Sequence, residues 1–207
     1  MRKLLILTAL LFVPNCIFAQ FSLGVRTNPF FGNGNRVTGD ADNSFKLYGF
    51  IPAPKIGGIF RYRFNENFAL HTEINYNVAG FSYGVEGQPS FSLEYIEVPL
   101  LFQISGKTKF RGFAEIGISP KFLLRARHYS YYYNADDYFN PFMLTANIGA
   151  GVMLDVWKLT LLAGIRGGYD IIPIGKNIYD VNNVNWTFDN IRFLHFELLI
   201  LGVIYNF

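Results

Sequence analysis

Two short patterns in the chain hold the residue types of acid–base or metal chemistry, His71-x-Glu73 and His195-x-Glu197. On a strand, where side chains alternate with period two, each pair puts an imidazole and a carboxylate on one face. Those groups can ligate a divalent metal or pass a proton. A third constellation, His128-Tyr129-Ser130 followed by Asp136 and Asp137, supplies the base, hydroxyl and acid of a nucleophilic hydrolase. Proximity in sequence is weak ground for a triad, and no enzyme motif surrounds it. Gly106-Lys107-Thr108 has the ending of a phosphate loop, but Leu101 stands where the first glycine is required and no helix follows. Gly32-x-Gly34 lacks the third glycine of a dinucleotide loop. The sequence therefore predicts no catalytic, cofactor or metal site. The His-x-Glu pairs are read as members of a polar network or as interfacial residues.

The elements that position these residues are short and interrupted. Of 207 residues 51% are hydrophobic, 18% aromatic and only 16% charged, a composition that excludes disorder and coiled coil. After the N-terminus no apolar run is long enough for a spanning helix of about 20 residues. Period-two alternation over segments of about ten residues recurs instead, the pattern of transmembrane β-strands. It predicts strands near 21–27, 54–64, 67–79, 91–104, 109–125, 142–155, 159–170 and 191–206. Tight turns at Asn65-Glu66, Ser105–Thr108 and Val156–Lys158 alternate with long connections near 28–53, 80–90, 126–141 and 171–190. The expected fold is all-β: an eight-stranded antiparallel up-and-down transmembrane barrel, both termini periplasmic.

The same alternation assigns facing. Phe68, Leu70, Thr72, Ile74, Tyr76 and Val78 would meet lipid. Arg26, Lys55, Arg61, Arg63, Glu73, Glu97, Arg111, Glu115, Lys121, Arg125, Arg166 and Asp170 would point inward. A barrel of this size is just filled by its own side chains, and buried charges must pair. The expected lumen is a salt-bridge plug built on Arg61, Glu73, Glu97, Arg111, Glu115, Lys121 and Arg166; the alternative is a narrow ion pathway. Residues 191–206 are apolar on both faces, and parity counted from Phe207 turns Glu197 to lipid unless a bulge near Leu198 reverses it.

At the N-terminus, Arg2-Lys3, the apolar run Leu4–Val13 and Ala19-Gln20 predict a cleaved signal peptide over 1–19 and a barrel domain over 20–207. Asn15 before Cys16 speaks against lipidation. Arg2 and Lys3 account for two of the three excess positive charges, leaving +1 after cleavage. That balance, with no basic stripe, gives no support for nucleic acid as a partner. The loops carry Asp40, Asp42, Glu86, Asp136, Asp137, Asp180 and Asp189 against few cations, a surface suited to sharing divalent ions with lipopolysaccharide in the outer-membrane lipid. Tyr131, Tyr132 and Tyr133, with Asp136 and Asp137, are the recognition candidates, since rigid aromatics bury area at low entropy cost. The competing reading is an interfacial belt.

The run Tyr95-Ile96-Glu97-Val98-Pro99-Leu100-Leu101 resembles the strand signature of the PorT-like outer-membrane β-barrel family of the Bacteroidota. The resemblance implies an eight-stranded barrel in the outer membrane of a Gram-negative cell. The family's founding member takes part in protein secretion. It offers no catalytic residue to carry over; Glu97 and Pro99 match its motif. The function expected is a non-catalytic barrel whose loops make interactions, accessory to secretion-system or other envelope proteins. A small transport pore is the alternative, and a lipid-modifying or proteolytic rim enzyme a weaker one.

Overall fold

The computed structural model describes residues 21–28, 33–38, 47–48, 55–83, 91–128, 134–175, 178–181, 184–187 and 192–207. The predicted signal segment and Tyr131, Tyr132 and Tyr133 lie outside them.

Among the described residues, eight antiparallel strands form a closed ring. They are β1 (Phe21–Asn28), β2 (Lys55–Arg63), β3 (Phe68–Tyr83), β4 (Phe91–Glu97 continuing as Leu100–Ser105), β5 (Phe110–His128), β6 (Phe142–Val156), β7 (Leu159–Asp170) and β8 (Arg192–Asn206). Each pairs with its sequence neighbours, and β8 returns to β1 with Ser22 opposite Asn206. Both ends of the ring therefore stand at one mouth, called here the terminal mouth. Two short strands lengthen the wall at the far mouth: Asn33–Thr38 pairs with the start of β8 and Leu47–Tyr48 with the end of β3.

Proline explains the break in β4. Pro99 has no N–H for the ladder, but its carbonyl accepts from Glu73 N (3.2 Å), and Val98 N donates to Pro120 O (2.9 Å). The wall holds register across the gap. At the terminal mouth the turns are tight. Asn65 Oδ1 accepts from the backbone N–H of Asn67 and Phe68, both at 2.9 Å. A two-residue turn joins β6 to β7, with Trp157 at φ 55°.

The outer surface is the apolar face. Val25, Ile56, Ile74, Ile116 and Ile148 are each more than 60% exposed, which only a lipid surrounding makes favourable for so many aliphatics. Rings ornament the same outer face near the terminal mouth, including Phe21 against Tyr62 (5.0 Å) and Phe68 stacked on Phe102 (5.6 Å).

Two bulges decide facing where strict alternation fails. On β8, Gly164 pairs with Ile200 but Arg166 with Glu197, so one extra residue sits at Leu198–Leu199. Glu197 and Ile200 both point inward, and Leu198, Leu201 and Val203 outward. On β5, Glu94 pairs with Arg125 but Tyr95 with Leu123. The extra residue turns Arg125 to the outside, beside Glu94, correcting the expectation that it faced the lumen.

Candidate functional site

The lumen is where the chain concentrates its polar side chains, and it is layered. The central layer is a continuous ion-pair network. Arg26 of β1 reaches Glu73 of β3 (2.6 Å) and Glu197 of β8 (2.5 Å). Lys55 of β2 bridges Glu97 of β4 (2.6 Å) and Glu197 (2.5 Å). Arg166 of β7 sits between Glu73 (2.8 Å) and Glu115 (2.7 Å). Its Nε also donates to Glu115 Oε1 at 2.9 Å. His71 lies against Glu73, its Nε2 3.1 Å from Oε1, and Gln103 Nε2 donates to Glu115 Oε2 at 3.3 Å. Nearer the far mouth, Lys121, Asp170 and His195 form a second knot, with His195 Nε2 2.9 Å from Asp170 Oδ1 and 2.8 Å from Lys121 Nζ.

Strand pairing places these partners. Glu97 is directly opposite Lys121, Arg166 opposite Glu197 and Gln103 opposite Glu115. Gly149 makes room for one of them: a Cβ there would stand 2.8 Å from Glu115 Oε1. All of these carboxylates and cations are buried, where removing one partner leaves an uncompensated charge. The space left among Lys55, Asn77, Glu97, Lys121, Arg166 and Glu197 is about 10 Å³, at the lower limit for holding one water.

Apolar layers lie on either side of this network. Toward the terminal mouth, Ile59, Phe113, Met153, Leu162, Ile200 and Ile204 pack together inside the barrel. At the far mouth Phe91, Leu93, Tyr95 and Met143 from the wall meet Phe139 and Ile174 from two connecting segments. Those segments are pinned to each other. Asn140 N donates to Ile174 O (2.7 Å), and Asn140 Nδ2 to Pro173 O (2.8 Å) and Gly175 O (3.1 Å).

The terminal mouth is polar again. Arg111 forks onto Asp155, with Nη2 to Oδ1 at 3.0 Å. Thr160 Oγ1 donates to the same Oδ1 (2.6 Å), Asn206 Nδ2 to Thr160 Oγ1 (2.9 Å), and Ser22 Oγ to Asn206 Oδ1 (2.8 Å). Arg61 and Arg63 of β2 face this chain of bonds.

The residues read from the sequence thus divide. Glu73, Glu97, Glu115, Lys121 and Arg166 come together in the centre. Arg61 and Arg111 do not join them: they stand at the terminal mouth, beyond the apolar layer. Both His-x-Glu pairs face inward, as members of the network. Asp136 Oδ1 accepts from the backbone N–H of Ala126 (2.5 Å), so its carboxylate secures the loop after β5, while Asp137 is exposed. His128 meets Phe91 edge to face, ring centroids 4.7 Å apart. Sequence reasoning missed the two apolar layers inside the lumen. The available signal was parity, since Phe113 stands between Arg111 and Glu115, both inward, and Ile59 two residues before Arg61.

Residues 18–173 match the outer membrane protein beta-barrel domain. Among solved structures, the chain is similar to the outer membrane protein OprG from Pseudomonas aeruginosa, with a TM-score of 0.53 at 13% identity, covering 91% of this chain and 96% of that one. It is also similar to Neisserial surface protein A, with a TM-score of 0.51 at 16% identity over 90% and 97% of the two chains. No curated protein matches the chain in sequence. The closed eight-stranded ring, its apolar outer face and the match over most of its length have one meaning: the chain belongs to the outer membrane protein beta-barrel domain family.

Proposed function

We propose that this outer-membrane barrel is a non-catalytic protein with a sealed lumen, which acts through its loops as an accessory to protein secretion or envelope assembly. The observation that carries the reading is the stack of layers inside the ring: an apolar cap, an ion-pair network with about 10 Å³ of free space, and a second apolar layer. A conducting path needs a continuous aqueous column, and each apolar layer interrupts one. The Tyr95–Leu101 signature favours the PorT-like family of the Bacteroidota within the broader one. In this reading residues 1–19 are removed after Ala19, the terminal mouth faces the periplasm, and the loops around Tyr131, Tyr132, Tyr133 and Asp137 meet lipopolysaccharide or a protein partner outside.

Reconstitution into planar bilayers tests the seal. The expected result is no steady conductance. A stable current that changes with Glu115→Gln would replace this reading with a small transport pore. Crosslinking in intact outer membranes tests the accessory role: reproducible capture of envelope or secretion components supports it, and recovery of lipid alone removes it.

A further inference from the structure

The terminal mouth holds more positive charge than its own carboxylate balances. Arg61 and Arg63 enter from β2 and Arg111 from β5, and Asp155 of β6 is the carboxylate that Arg111 holds. Asp155 is already engaged by the Arg111 fork and by Thr160. Glu115, the other acid that Arg61 senses, is held by Arg166. Arg61 is only 2% exposed, yet among the described residues its Nε and Nη1 have no hydrogen-bond partner, and neither does Nε of Arg63. A guanidinium removed from water holds its place when acceptors fill its donors. Among the described residues none reaches those three N–H groups.

We propose that the terminal mouth is an oxyanion site, seating a phosphate group between Arg61, Arg63 and Arg111. Three cations against one carboxylate leave two positive charges, the complement of a phosphate dianion. The planar forks of Arg61 and Arg63 match phosphate oxygens, while Arg111 adds its charge with its own fork kept on Asp155. Arg63, half-buried at the last position of β2, is where a soluble phosphate or phosphate ester first meets the cluster, and the covered Arg61 side chain has to shift to share the anion; a lipid headgroup would have to fold in over the rim. This site is separate from the sealed centre and stands whether or not the barrel serves secretion.

The test is calorimetric titration of inorganic phosphate into the full chain, folded in uncharged detergent at low salt. Saturable binding is expected, weakened at least about tenfold by Arg61→Gln and by Arg63→Gln as charge-assisted donors are lost. Asp155→Asn removes the competing carboxylate and tightens binding by about fivefold, a gain that damaged folding would not produce. Arg125→Gln on the outer face leaves binding unchanged. Circular dichroism and heat-modifiable gel migration establish that each variant is folded. Competition with short-chain phosphatidylglycerol separates the sources: displacement at lower concentration than glycerol phosphate needs assigns the site to lipid headgroups, and the reverse to soluble phosphate. The proposal is overturned by absence of saturable binding of both, by equal binding in folded Arg61→Gln and Arg63→Gln, or by equal weakening in Arg125→Gln.

Discussion

The two mouths of the barrel close in opposite ways. The far mouth is shut by hydrocarbon: Phe139 and Ile174 descend from two loops onto Phe91, Leu93 and Met143. The terminal mouth is lined by Arg61, Arg63 and Arg111 with Asp155. Apolar closure is self-sufficient, because burial stabilises it and no counter-charge is needed. Ionic lining is not, because each cation needs an acceptor. The central network meets that need from its own strands, Arg26, Lys55 and Arg166 each touching two carboxylates. At the terminal mouth, among the described residues, Arg111 holds a carboxylate while Arg61 and Arg63 hold none. A seal and a binding surface are thus built from the same wall by changing only which inward positions carry acids.

The contrast can be broken most severely at its centre. Glu73→Ala removes the acceptor shared by Arg26, Arg166 and Asn75. We expect about 3–5 kcal/mol of destabilisation, read as a lowered urea midpoint for unfolding from lipid vesicles. An unchanged midpoint would mean that the centre tolerates open cations as the mouth does. Phe139→Ala empties the middle of the far cap, at a cost of about 3 kcal/mol, with faster hydrogen exchange in residues 134–141 and little change at the terminal mouth. If exchange rises equally at both mouths, they are one cooperative unit. Gly149→Ala pushes on Glu115, and about 1–2 kcal/mol is expected from overpacking. Asn140→Ala severs the link between the two capping loops at about 1 kcal/mol, visible as quicker proteolysis near Gly175. Lys107→Ala, which removes the exposed partner of Glu66 at a turn, should leave the midpoint where it was.

Strand number, turn placement and most facings were legible in the sequence, because a half-buried strand must alternate. β3 displays this in full: Ala69, His71, Glu73, Asn75 and Asn77 are buried, while Phe68, Ile74 and Tyr76 are exposed. Alternation carries no information about bulges, which insert one residue without changing composition. Arg125 was therefore assigned to the wrong side, and Glu197 could not be assigned. Nor does it separate an apolar side chain facing lipid from one facing the lumen once a polar partner is missing from the pattern. Phe113 and Ile59 belong to that class. The grouping of Arg61 and Arg111 with the central charges failed for a related reason: inward parity says nothing of depth along the axis. Depth comes from register between strands, which sets Arg61 opposite Ser22, two inward positions nearer the terminal mouth than Gly57 and its neighbour Arg26.

The seam that closes the ring has a consequence for how the protein is assembled. Every other interface among the eight strands of the ring joins strands adjacent in sequence, so each can form as a hairpin soon after its residues are available. The last joins Ser22 to Asn206, separated by 184 positions. Loop closure over such a span is slow, and it is favoured only after the intervening hairpins have shortened the path. That seam is also made in two pieces, Leu201–Asn206 on β1 and Arg192–Glu197 on Asn33–Thr38. Loop closure thus favours the hairpins ahead of either piece of the seam, so the ring is the last thing the topology allows to form.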